Sequence, residues 1–238
     1  MATQIITTTR PSWPKFYIAV AVTIAAIVFA GFARTYYLRS FYTSEPLPFL
    51  LHLHGLVFTT WLLLLFVQTT LVAAGRTDIH RRLGVFGGAL AVTMIVVGYL
   101  TAIHGARRGA APLGIPPLVF LIIPLGDLLN FTILVAAALL YRGRPEIHKR
   151  LMLCATIAIL APATGRLPFA FIRQGGPLVV WGLADLVLIA CVLYDWISRK
   201  RVHPAYIWGG LVIVLSQPLR LALAGTTAWS TFAHWLAR

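Results

Sequence analysis

Seven stretches of this chain are long and apolar enough to cross a lipid bilayer: residues 15–38, 49–74, 83–104, 117–141, 148–171, 178–198 and 204–224. A helix rises about 1.5 Å per residue, so some 20 apolar residues match a hydrocarbon core about 30 Å thick. With 59% of its residues hydrophobic and 11% charged, the chain has too little polar surface to fold in water. Helices satisfy their own backbone hydrogen bonds where water is absent. The sequence therefore predicts an all-α polytopic membrane helix bundle of about seven transmembrane helices. Short connections predict a single transmembrane domain over residues 1–238. Its last segment, 226–238, places Trp229, Phe232, Trp235 and Leu236 close to one side, as an amphipathic helix lying in the interface does.

The charges set an orientation. There are 20 Lys and Arg residues against 6 acids, a formal net charge of +14. They are spread over helix ends and form no nucleic-acid-binding face. With the N-terminus inside, 12 of the 20 are cytoplasmic: Arg10, Lys15, Arg76, Arg81, Arg82, Arg142, Arg144, Lys149, Arg150, Arg199, Lys200 and Arg201. This reading puts the protein in a bacterial inner membrane, with its basic side among anionic lipid head groups. The leading "MATQIITTTRPSWPK" lacks a cleavage site, and the apolar run behind it exceeds a signal h-region. Cys154 and Cys191 both fall inside apolar helices, where packing is their expected role.

One nonapeptide occurs twice: "GRTDIHRRL" at 75–83 and "GRPEIHKRL" at 143–151. The copies open the third and fifth helices on the same side, which implies a parallel internal repeat with core halves 48–104 and 117–172. Thr77 or Asp78 suits a helix cap, Pro145 a first-turn position, and Glu146 the positive dipole end. The arginines then reach lipid phosphates. The histidines are left over. His80 heads a face of small residues, Gly84, Gly87 and Ala91, open to a close helix or a flat ligand; His148 leads into Met152, Ala155 and Ile159.

A second polar set lies at membrane depth, where ionisable groups count as functional candidates. His54 is two turns into the second helix, Asp127 is near the middle of the fourth, and Asn130 is one turn deeper. Arg166, Asp185, Gln217 and Arg220 occupy the outer parts of later helices, and His104 ends the third. Pro124, Pro162, Pro168 and Pro218 accompany them. Two readings follow: an outward-facing polar cavity, or two acids and two bases that neutralise one another between helices. His52 and His54 point to different helix faces and share no metal. The chain has no HExxH, no CxxC, no glycine-rich phosphate loop and no lysine in the seventh helix, which excludes zinc-protease, desaturase, nucleotide-binding and retinal chemistry.

His54, Gln68, "HRRLG" at 80–84 and "HKRLM" at 148–152 resemble an uncharacterised bacterial multi-pass membrane family whose four-helix core is similar to di-haem transmembrane b-type cytochromes. The resemblance covers residues 48–172. It implies bis-histidine haem b sites, with His80 and His148 as one pair on the third and fifth helices. For the second site it implies a partner to His54 on the fourth helix, where Asp127 stands instead, with His104 as a substitute and Met152 as a further axial candidate. Three functions remain open. One is a haem- or quinone-linked electron-transfer protein. Another is a non-enzymatic accessory or assembly subunit of a membrane complex, or a homo-oligomer. The last is a small carrier or receptor, with Arg166 and Arg220 clamping an anionic or quinone-like ligand.

Overall fold

The computed structural model of the chain describes residues 13–111 and 114–238. The leader sequence up to residue 12, Arg10 included, lies outside the described residues. Every regular element is helical: α1 (Trp13–Phe32), α2 (Phe49–Ala73), α3 (Thr77–Arg107), α4 (Pro117–Phe120), α5 (Ile122–Leu140), α6 (Pro145–Ala158), α7 (Ala161–Thr164), α8 (Ala170–Arg199), α9 (Pro204–Ala224) and α10 (Thr227–Leu236). Below, the end of the bundle where α1 begins is the near end, and the opposite one is the far end.

Among the described residues, six segments are long and apolar enough to cross a membrane: Lys15–Tyr37, Phe49–Ala73, Thr77–Arg107, Pro117–Leu140, Gln174–Arg199 and Pro204–Ala224. The fifth expected crossing, 148–171, is instead a broken helix. Pro162 has no N–H to offer the carbonyl four residues back, and its ring crowds that carbonyl. The chain responds at Ile159 and Leu160, whose amides turn back to Thr156 O (3.4 Å) and Ile157 O (3.0 Å). The four-residue α7 follows, then turns at 165–168. Consequently α8 begins at Ala170, ahead of the expected 178, and bends at Gly176, where φ 62° suits glycine and Pro177 follows.

The broken helix is the centre of the bundle. Leu151, Leu153, Cys154, Ala155, Thr156, Ile157 and Ala158 are all buried. Around them stand α5, α8 and α9, and α7 packs against α1 and α8. From α2, Trp61 Nε1 donates to Thr156 Oγ1 at 3.2 Å. Irregular backbone at membrane depth is tolerated where protein covers it. The outer helices meet the lipid, with Leu63, Val92, Leu129, Leu186, Trp208 and Leu215 exposed. Small residues permit the closest approach. A Cβ on Gly31 of α1 would lie 2.2 Å from Ala163 O of α7.

Both nonapeptides form turns that open helices, α2 to α3 and α5 to α6. The capping expectation for the first copy is corrected. The residue preceding α3 is Arg76, which makes no side-chain cap, and Asp78 pairs with Arg76 Nε at 3.4 Å. The placement of Arg150 among lipid phosphates is corrected as well, because its side chain is 0% exposed.

Candidate functional site

The candidate histidines fall in three places. His80 and His148 come together at the near end, with ring centroids 6.2 Å apart and ring planes at 80°. Each sits in the first turn of its helix, α3 or α6, so the repeated turn brings them to one level. The His148 ring is oriented by its Nδ1, 2.8 Å from Ala138 O. A carbonyl can only accept, so Nδ1 is the donor, and in the neutral ring the lone pair is on Nε2. Gln68 Nε2 donates to the backbone oxygen of His80 at 3.2 Å, while His80 Nδ1 is buried without a partner. Of the small-residue face expected beyond His80, a Cβ on Gly84 would only graze Gln68 (3.9 Å), whereas one on Gly87 would press on Leu64 of α2 at 3.2 Å and Ala91 is buried; Gly88, beside that face, would meet nothing within 4 Å.

His54 stacks on Phe58 with centroids 4.1 Å apart, its Nδ1 buried and unpartnered. His52, by contrast, is exposed at the rim. His104 ends α3 at the far end, its Nε2 also buried without a partner. Among the described residues no group of three or more His, Cys, Asp or Glu side chains gathers to hold a metal ion.

The polar groups of the far half bond to one another between helices. Arg220 Nη1 donates to Asp127 Oδ1 (2.6 Å) and Ile123 O (3.1 Å), and Nη2 donates to Ser216 Oγ (2.8 Å). Asn130 Nδ2 reaches the same Ser216 Oγ at 2.7 Å. The guanidinium carbon lies 5.0 Å from the Trp181 ring centroid. Asp185 and Gln217 form a neighbouring pair, with Nε2 2.9 Å from Oδ2. Arg166 stands apart, donating to Pro162 O at 2.7 Å beneath the Phe32 ring. Asp127, Asn130 and Arg220 are thus one network linking α5 to α9, Asp185 and Gln217 a second link between α8 and α9, and Arg166 belongs to neither. Asp127 Oδ2 and Trp181 Nε1 are left buried without a partner in this set.

Gly126 makes room for the first network, since a Cβ there would sit 2.3 Å from Arg220 Cδ. In an unobstructed helix Gly→Ala stabilises by up to about 1 kcal/mol. Gly126→Ala is expected to reverse that sign and cost about 1–3 kcal/mol, as overpacking does. Thermal unfolding of the detergent-solubilised variant measures it.

Sequence reasoning missed a second buried charge cluster, at the near end. Arg150 and Asp195 are exposed by 0% and 1% and pair through Nη2 and Oδ1, with Nε 3.3 Å from Oδ2. Arg150 Nη1 also donates to Glu146 Oε2 (2.7 Å), which Arg199 Nη1 joins at 2.8 Å; Lys149 Nζ bonds Glu146 Oε1 at 2.6 Å. Asp195 Oδ2 accepts the His203 amide at 2.8 Å and so ties the start of α9 to the end of α8. Burial, then the Arg150 and Arg199 charges, lower the His203 imidazole pKa, and its Nδ1 accepts from Ala205 N at 3.1 Å. The available signal was one acid, Asp195, a turn inside α8 ahead of the basic run Arg199-Lys200-Arg201, together with Glu146 four residues before Arg150.

Comparisons with family models, with curated proteins and with solved structures return no match to this chain. The polar geometry is therefore the ground for any functional reading.

Proposed function

We propose that this integral membrane protein transfers electrons through one haem b held between His80 and His148. The observation that carries the reading is the pair itself: two imidazoles from separate helices, 6.2 Å apart, one with its tautomer set by a backbone carbonyl. At that separation His80 and His148 would leave room between them for one metal ion to be held by a ring nitrogen of each. The residues present fit the group. His148 Nε2 has its lone pair available, the Ala138 carbonyl is the outer partner that ligating histidines require, and Gly84 and Gly88 leave a face without side chains. When bound, the haem supplies one-electron chemistry. Arg81 and Arg82, exposed beside His80, neutralise carboxylates at the membrane surface. Gln68 holds the His80 backbone and so the approach angle of that ring. In this reading the near end is cytoplasmic, the membrane is a bacterial inner membrane, and the basic residues there meet anionic lipids.

A reduced-minus-oxidised absorption spectrum of protein from a haem-replete host tests the proposal. A low-spin b-type signal stoichiometric with protein is expected, and His148→Ala and His80→Ala should each abolish it while the variant still unfolds cooperatively near the wild-type temperature. A flat wild-type spectrum, or a signal that survives both substitutions, would sink it.

The self-bonded far-half network favours one second reading, a non-enzymatic accessory subunit or homo-oligomer whose intramembrane polar groups serve packing. The carrier reading is weaker on this geometry, because Arg220 is already engaged by Asp127 and Ser216, and Arg166 stands apart from that network.

A further inference from the structure

The far end holds a cleft of about 340 Å³ where the end of α3 meets the start of α2 and the end of α10. Its walls are of two kinds. Leu50, Leu100, Ile103 and Leu236 are apolar, whereas His104 and Arg107 bring polar groups to the same space. The His104 ring borders the cleft, with its Nε2 buried behind that surface without a hydrogen-bond partner. Arg107 Nε donates to Ala237 O at 3.2 Å, which closes the end of α10 over the cleft.

The charge balance identifies the missing partner. The chain has six acids. Glu45 faces Arg39, Asp78 pairs with Arg76, Asp127 with Arg220, and Asp185 with Gln217. Glu146 and Asp195 belong to the near-end cluster. Each of the six side-chain carboxylates is engaged elsewhere, so none of them is a counter-charge for the Arg107 cation or for Arg108 beside it in sequence. An imidazole and a guanidinium at a membrane boundary, above a leucine-lined floor, match a phosphate ester carrying an acyl chain.

We propose that this cleft binds an anionic phospholipid of the far-side leaflet. The Arg107 guanidinium donates to its phosphate oxygens beside the His104 ring, and its chain lies over Leu50, Leu100 and Ile103. The site is independent of the haem pair, which lies at the other end of α3.

The test uses the purified full chain in detergent, titrated with a short-chain phosphatidylglycerol and followed by tryptophan fluorescence. Short-chain phosphatidylcholine and inorganic phosphate serve as comparison ligands. Saturable binding of phosphatidylglycerol is expected, with each comparison ligand about tenfold weaker or worse. Arg107→Gln and His104→Leu together should weaken it by at least about tenfold. Arg107 is exposed, so Arg107→Gln alone leaves the fold intact and should still weaken binding severalfold. Leu100→Trp, which fills the floor without touching a charge, should weaken it too. Equal binding of phosphatidylcholine removes the anionic preference and overturns the proposal. Inorganic phosphate binding as tightly as the lipid reduces the cleft to an ion site, which overturns it as well. Undiminished affinity in Arg107→Gln and Leu100→Trp does the same.

Discussion

Asp195→Ala is expected to be the most damaging polar substitution in the chain, costing about 3–5 kcal/mol, because it strands the Arg150 guanidinium in a site closed to water and lipid. Arg150 is 0% exposed and reaches only two carboxylates, of which Asp195 is the buried one. The same substitution removes the acceptor for the His203 amide, which holds the start of α9. Thermal unfolding in detergent should show a large drop in Tm. Arg150→Met combined with Asp195→Leu should recover most of the loss, since replacing both charges leaves neither unpaired. An Asp195→Ala variant as stable as the wild type would mean that Arg150 finds another partner, and would remove the pair from the account of the fold.

The second large effect is steric. Gly31→Val places a branched side chain where α1 touches the backbone of α7: the first added atom lies 2.2 Å from Ala163 O and 2.8 Å from Ala163 C. Backbone cannot swing aside as a side chain can. α7 is further held by Thr164, whose Oγ1 donates to Val180 O of α8 at 2.8 Å. A cost of about 3 kcal/mol or more is expected, at the upper end of overpacking effects. Gly182→Ala is the matching control, because a Cβ there meets nothing within 4 Å and should leave Tm unchanged or slightly raised. Equal, small effects at the two positions would show that α7 is free to move.

These two sites measure how far the chain could be read in advance. Apolar run lengths report which segments enter a bilayer, and among the described residues six of them are helical over a membrane-spanning length. The repeated nonapeptide marked two helix starts, and the structure brings the histidines of both to one place. Asp127 and Arg220 were recognisable as two of the four ionisable groups that could neutralise one another between helices. Arg150 was not recognisable as buried. An arginine after a lysine near a helix start ordinarily snorkels to the phosphates, and its real partner lies 45 residues away on α8.

Local chemistry and hydropathy thus determined what this chain had to do with each segment: helices in lipid, basic turns at one end, polar groups inside that needed partners. Hydropathy depends on composition over a window of about 20 residues, so it survives without knowledge of neighbours. Which helix occupies the centre was decided only by tertiary packing. The broken α6–α7 element is shielded from lipid because five other helices can surround it, and that placement converts Arg150 from a surface anchor into a core residue. The same packing joins Asp127 to Arg220 across α5 and α9, since a carboxylate buried there is stable only while α9 brings the guanidinium within 2.6 Å.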